Sequence, residues 1–381
     1  MQRPLIYLDN AATSFPKPEA VYRAVDKVLR EISGNPGRAS HRMALEASRV
    51  IYRAREATAR VINLSDSGRL AFTKNATEAI NIALKGLLKS ADHVVTTSFE
   101  HNSVVKTLAR MEKGGVSVTR VRPDGDGFVT ASAVEAAITD ATRMVCLSHA
   151  SNVFGTIQPI AEIGAMCRRR GVLFMVDGAQ TVGAAPVDIE AMSIDILAAT
   201  GHKALFGPQG TGFLYVREGV EPAPLVDGGT GEIEVVLEMP DKQESGTMNT
   251  PGIGGLGAGA EFVLGEGIEK IRAHEVSLVK MIISGLEDIG RISIIGPRDA
   301  ARRASLISFN IDGITPAEAG RRLDDDHGLL LRCGVHCAPE AHREANTHPD
   351  GAIRVSPGYF TTATDIERFL DGVRELAKRP V

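Results

Sequence analysis

Leu173-Phe174-Met175-Val176-Asp177-Gly178-Ala179-Gln180 and, a little further on, Asp195-Ile196-Leu197-Ala198-Ala199-Thr200-Gly201-His202-Lys203 decide how this chain is read. Each is a short apolar run, long enough for a buried strand, that ends in polar groups. Open α/β sheets place ligands beyond the carboxyl ends of their strands, which is where Asp177, Gln180, Thr200, His202 and Lys203 fall. An Asp closing one strand and a Lys after the next are what a pyridoxal phosphate (PLP) site requires. The amine holds the cofactor covalently, and the carboxylate keeps a proton on the pyridine nitrogen so that the ring accepts electrons. The alternative for Lys203 is a surface lysine in a polar turn.

Working outward, strand and helix patterns alternate from about residue 69 to 216. Strands are expected at 70–73, 93–97, 116–121, 144–148, 172–177, 195–199 and 212–216. Helices are expected after residue 75, with Ile80, Ala83, Leu84, Leu87 and Leu88 on one face, and at 102–113 and 159–170. Such alternation predicts an α/β domain, a mostly parallel sheet flanked by helices. Gly/Pro-rich stretches at Pro222–Gly231 and Gly246–Gly259 read as the joint to a smaller α+β C-terminal domain. There a long helix over 255–288, strands at 306–311, 329–332 and 352–355, and helices at 315–327 and 364–378 are expected. The organisation read is an N-terminal arm and helix packing with the small domain (1–30), a large domain (31–250) and a small domain (251–381).

The 381 residues are 43% hydrophobic and 24% charged, an ordinary globular balance. The net charge of -4 and the lack of a long basic run argue against nucleic acid or an anionic membrane as partner. No apolar stretch approaches the roughly 20 residues of a membrane span. The start, Met1 to Asp9, lacks a signal-peptide core, so a cytoplasmic location is expected. Cys146, Cys167, Cys333 and Cys337 do not form a disulfide framework in a chain this long. Cys146 and Cys167 read as core thiols.

Several further groups fall at the same strand ends. Thr73-Lys74-Asn75-Ala76-Thr77-Glu78 opens a helix, whose free N–H groups suit a phosphate. Capping by Asn75 or Thr77 is the plainer alternative. His101, in Glu100-His101-Asn102, could stack on a cofactor ring or be an ordinary histidine. Asn152, in Ser148-His149-Ala150-Ser151-Asn152-Val153-Phe154-Gly155-Thr156, could face substrate. In Arg332-Cys333-Gly334-Val335-His336-Cys337-Ala338-Pro339, Cys337 reads as a reactive thiol on a small-domain loop. The competing reading is zinc held by Cys333, His336, Cys337, His342 and His348, although there is no second cysteine pair. A basic neighbour, His336 or Arg332, is expected to favour the Cys337 thiolate. Arg354 could pair with a substrate carboxylate or be a strand-end arginine.

Taken together the motifs resemble the class V, fold-type I PLP enzymes, and within them the cysteine desulfurases. The resemblance runs nearly end to end, from Tyr7-Leu8-Asp9-Asn10-Ala11-Ala12-Thr13 to the last helix. It rests on Thr77-Glu78-Ala79-Ile80-Asn81, Glu100-His101-Asn102-Ser103, Ser151 to Thr156, Asp177-Gly178-Ala179-Gln180, Gly201-His202-Lys203, Ser245-Gly246-Thr247-Met248-Asn249-Thr250 and Gly334-Val335-His336-Cys337-Ala338. The cysteine segment is similar to that of the group II desulfurases, which include selenocysteine-acting members.

The resemblance implies that Lys203 carries PLP, Asp177 meets its ring nitrogen, Gln180 its ring hydroxyl, and His101 stacks on the ring. It gives Thr77, Thr200 and His202 to the phosphate, Thr247 to the phosphate of a partner subunit in a homodimer, and Asn152 and Arg354 to the substrate carboxylate. Cys337 would accept sulfur from L-cysteine as a persulfide, leaving L-alanine, and pass it to an acceptor protein. The alternatives are a selenocysteine lyase acting on L-selenocysteine, another class V enzyme such as an aminotransferase or epimerase, or a non-catalytic module. The segment Gly228–Ser245 looks shorter than in typical group II members, and Asn102 and Val335 stand where histidines are common. Cys333 is a second thiol that could capture a persulfide.

Overall fold

Side-chain alternation sorts the central strands into two buried faces. Val145, Leu147, Phe174, Val176, Leu197 and Ala199 pack to one side. Met144, Cys146, Met175, Ile196 and Ala198 pack to the other. Strands this apolar on both faces need helices above and below, the arrangement of a parallel sheet. The computed structural model describes residues 5–37, 41–229 and 238–378.

The main sheet has seven strands, in the order Leu70–Thr73, Gly212–Val216, Ile196–Thr200, Leu173–Asp177, Thr142–Ser148, His93–Thr97, Ser117–Val121. Gly212–Val216 runs antiparallel to both neighbours, and the remaining pairings are parallel. The mostly parallel α/β sheet expected from the sequence is therefore present, with one reversed strand. The parallel strands deliver Thr97, Ser148, Asp177 and Thr200 to a common edge.

A second sheet is antiparallel, in the order Arg332–Gly334, Ala352–Val355, Ile307–Ile311, Ile292–Ile295. Leu278 and Ile282 of helix Ile268–Glu287, Leu323 of Pro316–His327, and Phe369 and Val373 of Ala363–Lys378 pack with Phe309 in its core. The arm joins this unit: strand Ile6–Tyr7 pairs with Leu329–Leu330, and Ser356 N donates to Leu8 O at 2.7 Å.

Several elements depart from the sequence reading, and the strand expected at 329–332 is two short strands, Leu329–Leu330 and Arg332–Gly334, in different sheets. Residues 255–288 are two helices, Thr250–Glu266 and Ile268–Glu287, broken at Gly267, whose φ is +85°. The glycine-rich stretch beginning at Gly246 is thus mostly helix rather than joint. Its glycines let it lie close to its neighbours. A Cβ on Gly257 would come within 2.7 Å of Ala54, and one on Gly255 within 2.7 Å of Val25. Helix Glu19–Glu31 and helix Arg42–Val61 both pack on it. Arg42–Val61 itself escaped the sequence reading because its buried side is largely alanine, which gives a weak apolar period. Strand Ile292–Ile295 escaped it as well, being a short, half-buried edge. Of the Gly228–Ser245 segment, residues 230–237 lie outside the described residues.

Candidate active site

The carboxyl edge of the main sheet and the loop after Arg332–Gly334 enclose a cleft of about 210 Å³. Asp177, Gln180, Thr200, His202, Lys203, Thr77, His101, Asn152, Arg354 and Cys337 all line it. Asp177 ends its strand 5% exposed, and its Oδ1 accepts from Ala179 N at 3.0 Å. Lys203 follows the adjacent strand, and Asp177 is the charge that most favours its protonated form. Burial wins over that attraction, and the Lys203 pKa is lowered to about 8. The amine is therefore suited to giving and taking a proton near neutrality.

His101 is held by a capping bond. It is the N-cap of helix Asn102–Glu112, and its Nδ1 accepts from Ser103 N at 3.1 Å. That bond requires a bare Nδ1, so a neutral ring carries its hydrogen on Nε2. Burial lowers the His101 pKa, with Asp177 opposing. Its sequence neighbour Glu100 is 0% exposed, a site-supporting group whose motif is quoted above but to which the sequence assigns no role. Its carboxylate accepts from Thr97 Oγ1, from Ser148 N at 2.9 Å and from Ser148 Oγ at 2.7 Å. Burial pushes its pKa up to about 7.

The residues fit a phosphorylated cofactor. Thr200 Oγ1 and His202 Nδ1 are buried without a hydrogen-bond partner, though both residues line the cleft. Groups left so are costly unless a ligand satisfies them. Helix Ala76–Leu87 starts beside them. Asn75 Oδ1 accepts from Glu78 N at 2.9 Å, and Glu78 Oε2 accepts from Lys74 N at 2.6 Å. These two bonds leave Ala76 N and Thr77 N at the positive end of the helix, so the capping and phosphate readings of this turn are compatible. Gly212 allows the approach, since a Cβ there would sit 2.8 Å from the Asn75 backbone.

Arg354 is 2% exposed. Its guanidinium donates to Asn152 O at 3.1 Å and to Asp9 Oδ1 at 3.1 Å, while its buried Nε has no partner. Asn152 Nδ2 donates to His336 O at 2.6 Å, so Asn152 ties the two units together as well as facing the cleft. Asp9 had no signal in the sequence beyond its place in the arm, because its pairing spans 345 residues.

Cys337 is exposed in the cleft, on a turn in which His336 and Cys337 have φ of +48° and +57°. Two consecutive left-handed residues other than glycine cost about 1–3 kcal/mol each, and such strain collects where a side chain must be aimed. Asn102 N holds the turn by donating to Cys337 O at 2.8 Å. The expectation that His336 lends Cys337 a positive charge is overturned. His336 is buried, and its pKa is lowered to about 2, first by burial and then by Arg354. It is neutral, which leaves Arg332 as the cation of that segment in the cleft. Cys333 faces the other way. Its Sγ lies where a Cβ on Gly320 would approach to 2.4 Å, and burial pushes its pKa up to about 11. Among the described residues no three His, Cys, Asp or Glu side chains converge on a metal position.

Thr247 is not part of this cleft. It is exposed near Asn35, whose Nδ2 donates to its Oγ1 at 3.5 Å, and lines a separate groove with Tyr52, Arg55 and Glu244. Cys146 and Cys167 are fully buried. Among the described residues no helix is long and apolar enough to cross a membrane.

A large, mostly parallel sheet with a strand-end Asp and Lys, joined to a small antiparallel unit, defines a fold-type I α/β enzyme scaffold. The chain belongs to the class-V aminotransferase family, whose model matches residues 6–369. It is 36% identical to a protein of Methanothermobacter thermautotrophicus described as a probable cysteine desulfurase, covering 98% of this chain and 94% of that one. It is 30% identical to the cysteine desulfurase IscS of Clostridium botulinum, covering 98% and 94%. The cysteine desulfurase of Thermococcus onnurineus NA1 superposes with a TM-score of 0.93 at 31% identity, covering 99% of each chain.

Proposed function

We propose that this protein is a PLP-dependent L-cysteine desulfurase that moves the sulfur of cysteine onto Cys337 and releases L-alanine. The observation that carries the reading is a thiol on an exposed turn in the same cleft as Lys203 and Asp177. Bound PLP supplies an electron sink that labilises the bonds around the substrate α- and β-carbons. Lys203 would hold the cofactor, and its amine, with a pKa lowered to about 8, would move the substrate α-proton. Asp177 keeps the ring nitrogen protonated, and Gln180 meets the ring hydroxyl. His101, its imidazole held by the capping bond to Ser103 N, would pack on the ring. Thr77, Thr200 and His202 bind the phosphate, and Asn152 and Arg354 orient the substrate carboxylate.

The balance of the transfer is simple. The carbon–sulfur bond of cysteine breaks, a sulfur–sulfur bond forms on Cys337, and the carbon fragment takes up protons to leave as alanine. An exposed persulfide is open to a sulfur-acceptor protein. Cys333, half-buried and turned away from the cleft, is not part of that route. Thr247 completes the phosphate site of a partner subunit, which makes the working unit a homodimer with shared sites. Its exposure away from its own cleft supports this reading.

The test is Cys337→Ser. The variant keeps Lys203, Asp177 and the phosphate groups, so it should bind PLP and show the visible absorbance of the loaded protein. Incubation with cysteine should leave a persulfide on Cys337 of the wild type by peptide mass spectrometry and none on the variant. A hydroxyl is a far poorer nucleophile than a thiolate. Alanine formation by the variant at the wild-type rate would falsify the assignment. Selenide release retained on selenocysteine, with cysteine turnover lost, would point to the lyase instead.

A further inference from the structure

Two imidazoles stand one behind the other beneath the cysteine turn. His336 is 5% exposed and His342 is 0% exposed, with ring centroids 5.3 Å apart. His336 Nε2 lies 3.3 Å from Arg332 O, which can only accept. Nε2 therefore carries the hydrogen, and Nδ1 of the neutral ring is bare. His342 Nε2 lies 3.2 Å from that Nδ1 and must donate to it. His342 Nδ1 is then the bare nitrogen, and Thr347 Oγ1 donates to it at 2.7 Å. The same hydroxyl lies 3.4 Å from His342 O, a longer contact that does not compete for its single hydrogen. Each donor finds one acceptor, so the tautomers of both rings are determined from Thr347 to Arg332.

His342 does not line the cleft. It is anchored from its own side, because Thr347 N donates to His342 O at 2.8 Å and His342 N donates to Ala338 O at 3.3 Å. The turn that carries Cys337 is thus gripped from two sides. Asn152 and Asn102, from the main-sheet unit, hold the carbonyls of His336 and Cys337. His342 holds the His336 ring from the small unit. Removing the His342 donor leaves His336 Nδ1 buried and bare, a state relieved only by turning the ring or moving the turn. Either shift releases a left-handed backbone that local preference opposes.

Resting on the desulfurase reading, we propose that His342 is a positioning residue for sulfur transfer. Its Nε2–H, set by Thr347, locks the His336 ring and through it the left-handed turn that aims the Cys337 thiol.

The experiment uses the full-length, PLP-loaded protein as wild type, His342→Leu, His342→Gln and Thr347→Val. Leucine fills the volume without a donor, whereas the Gln side-chain amide can donate where Nε2 does. His342→Leu should lower kcat for cysteine by at least about tenfold, with KM changed less than about twofold, since a small misplacement of a reacting group is costly. His342→Gln should recover to within about threefold of wild type. Thr347→Val, which frees His342 to adopt the other tautomer, should fall between them. Iodoacetamide alkylation of Cys337, followed by peptide mass spectrometry without cysteine present, should rank the four proteins in the same order. A leucine variant with wild-type kcat overturns the proposal. So does a glutamine variant as slow as the leucine one, because the donor would then not be what matters. If His342→Leu does not fold, Gln and Thr347→Val carry the comparison, and a Thr347→Val variant with unchanged kcat and alkylation overturns it. A wild type that forms no persulfide on Cys337 refutes the desulfurase reading, while the alkylation ranking still decides whether His342 sets the turn.

Discussion

Asp177 and Lys203 share a cleft because their strands are adjacent and parallel, with Asp177 in register with Ala198. That register brings a carboxylate and an amine to one edge without any long-range pairing having to be guessed. Asp177→Asn should test the carboxylate directly. The amide keeps the shape, so PLP absorbance should persist in part. It cannot hold a proton on the ring nitrogen, so turnover of cysteine should fall by about 100-fold or more. Turnover within a factor of two of wild type would remove Asp177 from that role. Asp177, Gln180, Thr200, His202, Lys203, His101 and Cys337 were legible because each closes a strand or sits in a loop beside one. Glu100, Asp9 and His342 were not legible as site-supporting groups. Their importance lies in partners fixed only by the fold: Ser148 on the next strand, Arg354 across 345 residues, and His336 across a turn. His336 shows the converse. Next to Cys337 in sequence it reads as a cation, and only its burial in the fold makes it neutral.

Helix Thr250–Glu266 shows what composition conceals at the level of elements. Gly252, Gly254, Gly255, Gly257 and Gly259 look like a joint, since glycine is a poor helix former in isolation. In the fold they are the condition for close packing. A Cβ on Gly259 would lie 2.0 Å from Leu205 O and one on Gly257 would meet Ala54. The sheet strands were legible because their signal is carried by large side chains, whereas this helix is recognised by what its neighbours need. Gly259→Ala raises intrinsic helix propensity yet should destabilise. The overpacking cost is about 1–3 kcal/mol, larger than the propensity gain of about 1 kcal/mol. Leu205 lies two residues after Lys203, so the loaded variant should also lose PLP faster on dialysis. Thermal unfolding and cofactor absorbance measured together check this, and a melting temperature raised above wild type would contradict the packing argument.

At the scale of the molecule, the cleft lies between two sheets, and several histidines in and near it are held neutral by burial. Burial lowers His149 to about 4, His202 to about 4, His342 to about 4 and His336 to about 2. A histidine whose folded pKa lies below its unfolded value of 6.5 binds fewer protons folded than unfolded between the two. Stability is then unaffected by these groups above about pH 6.5 and falls progressively as pH drops from 6.5 towards 4. His149 isolates the effect. It is 3% exposed, its Nδ1 has no partner, and it lies outside the lining of the cleft. With its pKa lowered to about 4, its share of the loss at pH 5 is about 2 kcal/mol. Guanidinium unfolding midpoints at pH 7.5 and pH 5.0 should fall much further apart for the wild type than for His149→Gln, which has no proton to gain. Carboxylates titrating in the same range act on both proteins alike and cancel in the comparison. An equal drop in both would mean that the neutral burial of His149 is not a source of acid sensitivity. The variant should lose little activity at pH 7.5, where the ring it replaces is uncharged.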